Sequence, residues 1–98
     1  MDKIIVDNNY SDNKIVVNKD SYILISDGVQ AKELELNIID CKVKILDSSS
    51  VSSKIFNFTN ADANVVEVIK YSSNRKTLIN SENSNLEFDV IDLMNSHY

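Results

Sequence analysis

One cysteine and one histidine, Cys41 and His97, are the only side chains of their kinds among the 98 residues. Nucleophilic catalysis by a Cys–His or Ser–His–Asp set needs the imidazole held within hydrogen-bond reach of the nucleophile. His97 is the last residue but one of this sequence, a position where chains usually fray. Cys41 falls in step with Val43 and Ile45 and reads as a small core residue. The single glycine, Gly28, leaves no G-x-S-x-G elbow and no glycine-rich phosphate cradle. One Cys and one His cannot make a tetrahedral zinc set. The run DNNYSDN sets Asp7, Asn9 and Ser11 at alternate positions, like the start of a calcium loop, but Asp12 stands where that loop needs Gly and Asn18 where it needs Glu. No catalytic residue, metal or cofactor is therefore expected, and the chain does not read as an enzyme.

Carboxylates recur as the pairs Glu33/Glu35 and Asp89/Asp92. Glu33 and Glu35 share one strand face, as do Lys42 and Lys44 on the next run. Attraction across neighbouring strands, about 0.2–1 kcal/mol per pair, is the expected use of these charges. A glycosidase-type pair would need surroundings that make one carboxyl an acid and the other a base. Asp7, Asp12, Asp20 and Asp27 lie in or beside turns and form a candidate acidic surface. The formal net charge is −5 and the only arginine is Arg75. Such a balance excludes direct nucleic-acid binding, which needs a basic stripe, and an anionic membrane as partner. It leaves open an acidic antagonist that occupies the channel of a nucleic-acid-binding effector.

The elements that must carry these residues are short. Runs rich in Ile and Val, such as KIIV, KIVV, YILIS, KELELNI, KVKIL, KIFNFT, NVVEVIKY, KTLIN and NLEFDVI, alternate with clusters of Asp, Asn and Ser that favour turns. Proline is absent, so turns other than SDGVQA at 26–31 must use Asn or Asp in left-handed conformations or be longer loops. The segment from Asn60 to Ser73 reads as strand rather than helix, because valine and isoleucine lose side-chain freedom in helices. The apolar centres Ile25, Leu36, Ile45, Phe56, Val66, Leu78 and Phe88 recur every 9 to 12 residues. In KELELNIIDCKVKILD the apolar side chains sit at even numbers (Leu34, Leu36, Ile38) and then at odd ones (Cys41, Val43, Ile45). Ile38-Ile39 is poor turn chemistry, so the flip at Ile39-Asp40 marks a bulge or corner where the strand passes from one sheet to another. The expected fold is a single all-β domain over residues 1–98, an antiparallel β-sandwich or rolled sheet. A short β-solenoid is the alternative, and a short C-terminal helix is expected within DVIDLMNSHY.

Several strands are apolar on both faces, as in YILIS with Tyr22 and Leu24 on one side and Ile23 and Ile25 on the other. Two-sided strands in so small a chain point to an interface. The candidate interface residues are Tyr22, Leu24, Ile5, Val16 and Val66. The expected function is a non-enzymatic protein-interaction module, self-associating through apolar strand faces as a homo-oligomer or binding another protein. The acidic antagonist is the alternative. One cysteine permits no internal disulfide, which fits a reducing, cytoplasmic setting. No run approaches the length of a membrane span. The two acceptor sequons at Asn9 and Asn57 are expected to go unused. Usage heavy in Asn, Ile, Lys and Ser fits an AT-rich bacterial or phage genome.

Overall fold

The computed structural model describes residues 1–7, 13–29, 32–49, 51–69 and 76–92. They form nine strands: β1 (Asp2–Val6), β2 (Lys14–Val17), β3 (Ser21–Ile25), β4 (Glu33–Ile39), β5 (Lys42–Asp47), β6 (Ser53–Thr59), β7 (Asp62–Ile69), β8 (Lys76–Glu82) and β9 (Asn85–Asp92). Odd strands build one sheet in the order β1-β3-β5-β7-β9, and even strands the other in the order β2-β4-β6-β8. All seven pairings are parallel. The chain is thus a β-solenoid, the expected alternative, and the antiparallel sandwich or rolled sheet is corrected. Consecutive strands never pair with each other. Each passes to the opposite sheet, and one full turn later the chain lies beside its earlier self.

The register gives the length of a turn. Asp2 pairs with Ser21, Ser21 with Val43, Lys42 with Asp62 and Asp62 with Asn85, offsets of 19, 22, 20 and 23 residues. Two successive spacings of the apolar centres make one such turn. Parallel neighbours are not joined by two-residue hairpins, so one glycine and no proline suit this topology. Gly28 itself has no positive φ. Its N–H donates to Ser26 Oγ at 3.2 Å in the turn after β3.

The corners are where side-chain parity changes. Asp40, Asn60 and Asn83 follow β4, β6 and β8 and adopt φ of 53°, 49° and 49°. Short polar side chains tolerate this left-handed region where most others do not. One such residue resets the alternation, so even-numbered residues face inward on β4 and odd-numbered ones on β5. This corner separates Glu33 and Glu35 from Lys42 and Lys44, which lie in different sheets. Glu35 instead aligns with Lys14 and Ile55, and Lys44 with Tyr22 and Asn64. The expected cross-strand attraction between these four charges therefore does not arise. The segment from Asp62 to Ile69 is strand β7. The C-terminal segment runs as strand β9 through Asp92, and the rest of the expected helix lies outside the described residues.

The core is the thin layer between the sheets. Ile23, Ile25, Val43 and Ile45 enter from one side and Leu34, Leu36, Ile38, Phe56 and Phe58 from the other, all buried. Full burial of each such side chain contributes about 1.5–3 kcal/mol. Phe56 stacks on Phe58 with ring centroids 6.1 Å apart, and Phe58 meets Phe88 edge-on at 6.3 Å. The last turn is less covered. Ile79 aligns with buried Phe56, and Phe88 with buried Val65, yet Ile79 is 42% and Phe88 36% exposed.

Candidate functional site

Outward side chains of the odd-stranded sheet line up in rows, because parallel in-register strands place equivalent residues one above another. One row is Ile5, Leu24, Leu46 and Val66, each paired with the next by strand register. Asp89 of β9 continues this row. Ile5 is 47% exposed, and Leu24, Leu46 and Val66 are half-buried. The adjoining row is Lys3, Tyr22, Lys44, Asn64 and Glu87. Four of the five expected interface residues, Ile5, Leu24, Val66 and Tyr22, therefore share this face. Val16 does not. It projects from β2 on the other sheet, exposed, beside Asn37. Leu46 was missed by sequence reasoning, although it shares the parity of Lys42 and Lys44, opposite to Val43 and Ile45.

The outer face of the even-stranded sheet is mixed: Val16 and Leu78 are exposed on it, 64% and 55%, beside a row of asparagines. Asn57 Nδ2 donates to Asn37 Oδ1 at 2.8 Å, and Asn80 Nδ2 to Asn57 Oδ1 at 2.7 Å. Asn37 Nδ2 donates in turn to Glu35 Oε2 at 3.1 Å. A second ladder climbs the corner: Asn60 Nδ2 to Asp40 Oδ1 at 3.1 Å, and Asn83 Nδ2 to Asn60 Oδ1 at 2.6 Å. Asn85 Nδ2 donates to Asp62 Oδ1 at 3.1 Å alongside. Such stacked amides tie each turn to the next without leaving polar groups unpaired.

The expected acidic residues that are described, Asp7, Asp20 and Asp27, lie at both ends of their strands. Asp20 is exposed at the corner before β3, where its Oδ1 accepts the Lys42 N–H at 2.8 Å. Asp7 and Asp27 follow the paired ends of β1 and β3, at the opposite end of those strands. Asp12 lies outside the described residues, as do residues 8–11 of the calcium-like run and His97. Cys41 is buried at 6% exposure, its Sγ 3.6 Å from the Val17 carbonyl oxygen. Burial pushes its thiol pKa up. A backbone hydrogen bond at Ile39 opposes this, and the charges of Asp20 and Asp40 add to it. Among the described residues no group of three His, Cys, Asp or Glu side chains is placed to hold a metal ion, and no helix is long and apolar enough to cross a membrane.

The charged cluster inside the solenoid was not anticipated. Lys54 and Asp47 are fully buried, and their side chains are in direct contact. Lys54 Nζ also donates to Glu67 Oε1 at 2.7 Å, with the Glu67 side chain 14% exposed. Asp47 Oδ1 accepts from Ser49 N–H at 3.0 Å and from Ser49 Oγ at 2.6 Å. Asp47 and Glu67 are register partners on β5 and β7, and Lys54 reaches them from β6 in the facing sheet. Parity could have found all three. Lys54 is in step with Phe56 and Phe58, Asp47 with Val43 and Ile45, and Glu67 with Ala63 and Val65.

No family model, curated protein or solved structure matches this chain.

Proposed function

We propose that this protein is a non-enzymatic interaction module that self-associates through the outer face of its odd-stranded sheet. One observation carries the reading, the continuous row Ile5–Leu24–Leu46–Val66 on that face. The opposite face has no equivalent row, since its apolar residues Val16 and Leu78 are separated by asparagine tied to asparagine. A flat apolar row flanked by tyrosine and lysine stems suits packing against a second sheet about 10 Å away. A second copy of the chain supplies such a sheet.

The test is solution mass by light scattering and sedimentation at high micromolar concentration, across a range of salt. The expected result is a dimer or larger species that persists in high salt, since apolar association is little screened. Leu46→Asp and Leu24→Asp should give monomers with an unchanged circular dichroism spectrum. A wild-type monomer at these concentrations removes the self-association reading. Binding to an effector that weakens steeply with salt and is competed by nucleic acid would favour the acidic antagonist.

A further inference from the structure

The buried cluster holds the parts of a reaction. Lys54 Nζ is a primary amine in contact with a carboxyl group, at a site from which the described structure excludes water. Two donors, the Ser49 N–H at 3.0 Å and Oγ at 2.6 Å, converge on one oxygen of that carboxyl, Oδ1 of Asp47. This is the arrangement that stabilises negative charge on a carbonyl oxygen when a nucleophile adds to its carbon. The other oxygen, Oδ2, faces the amine. A second carboxylate, Glu67, reaches the same nitrogen at 2.7 Å. As a plain ion pair the cluster is poorly rewarded, because the desolvation of buried charges rivals their attraction. As a reaction site it has a nucleophile, an electrophile, an oxyanion cradle and a proton carrier, held by strands of both sheets.

We propose that Lys54 and Asp47 condense in the folded protein to an intramolecular isopeptide bond, with Glu67 carrying the proton. The balance closes without any added reagent. A proton passes from the Lys54 ammonium to Asp47 Oδ2 across their contact, leaving a neutral amine and a carboxylic acid. The amine lone pair forms the N–C bond at Asp47 Cγ, and the displaced electron pair of the C–O double bond settles on Oδ1 between the two Ser49 donors. Glu67 removes one proton from the new ammonium nitrogen and gives it to the Oδ2 hydroxyl. That oxygen leaves as water as the double bond to Oδ1 reforms, and Glu67 is again a carboxylate. One amide and one water replace one ammonium and one carboxylate. Well-oriented groups held by a fold reach effective concentrations of about 10⁵–10⁸ M, which is how a carboxyl group without activation can acylate an amine. The reaction occurs once per chain, so it is a self-modification and not turnover of a substrate. The bond would tie β5 to β6 and so lock the two sheets together.

The experiment is intact mass spectrometry of the full chain under denaturing conditions, after the folded protein has stood at neutral pH for days. The expected mass is below the sequence mass by one water, and proteolysis should yield a branched peptide joining the segments around Asp47 and Lys54. A wild-type chain that keeps its sequence mass overturns the proposal. Dehydration of Asp47-Ser48 to a succinimide also removes one water, so Lys54→Met is the control. Its full mass supports the bond, and a deficit that survives in it overturns the bond. Glu67→Gln, checked for folding by circular dichroism, should keep the full mass over the same period. A deficit that forms as fast in this variant overturns the role of Glu67.

Discussion

Cys41 behaves as a packing residue with an electrical consequence. Its thiol sits against the Val17 carbonyl, and burial raises its pKa. The folded chain therefore holds the thiol proton to a higher pH than the unfolded chain does. Below the ordinary thiol value of about 8.5 both states are protonated and stability is untouched. Above it the unfolded chain ionises first, so stability falls with rising pH until the folded value is passed. Urea midpoints measured from pH 7 to 10 should fall in the wild type, and less steeply in Cys41→Ala. An identical decline in both would take the thiol out of the account. For the same reason alkylation of Cys41 by iodoacetamide should be slow in the native protein and rapid in urea, since the thiolate is the nucleophile.

At the level of elements, the corners decide the fold. Asn60 holds φ at 49° between β6 and β7 while its amide links Asp40 and Asn83. Asn60→Gly keeps the backbone freedom and loses only the ladder. Asn60→Val loses the ladder and adds the penalty of a branched side chain in the left-handed region, about 1–2 kcal/mol. Urea denaturation should therefore rank wild type, then Gly, then Val. Equal losses for Gly and Val would show that the ladder alone matters. These corners explain how much was legible. The parity switch at Ile39-Asp40 and the need for left-handed Asn or Asp could be read from letters, and both stand. The choice of sheet partner could not. Local alternation is the same for a strand that pairs with its sequence neighbour and for one that pairs a full turn away, so the antiparallel reading followed from the frequency of hairpins. Charge alone would place Lys54, at the start of KIFNFT, in solvent. Its phase with Phe56 and Phe58 was the better guide, since the charge is matched by Asp47 and Glu67 inside.

At the level of the whole molecule, a solenoid is nearly one-dimensional. Each turn is stabilised by its neighbours, so stability should vary along the stack. The middle turns, β3 to β6, have inward side chains that are buried almost completely. The last turn differs. Every residue of β8 is exposed, and the inward Phe88 of β9, edge-on to Phe58, is 36% exposed. Local opening draws on the elements with least buried apolar surface, and amide exchange reads its free energy. Native-state hydrogen exchange should therefore show the amides of β8 and β9 exchanging well before those of β4 and β6. The protected strands should exchange only by global unfolding, with a urea dependence matching that of the whole molecule, while β8 and β9 show a smaller one. Phe56→Ala, which opens a cavity in the middle of the stack, should lower the global term by about 3–5 kcal/mol and erase most of this gradient. Ile79→Ala, at the exposed end, should hardly change the global term. Uniform protection from β3 to β9 would mean that the last turn is covered in solution, and the proposed association with a second copy is one source of such cover. Repeating the exchange with Leu46→Asp, the variant expected to be monomeric, separates the two cases. Protection of β8 and β9 that survives in the monomer belongs to the chain itself, and protection that disappears belongs to the association.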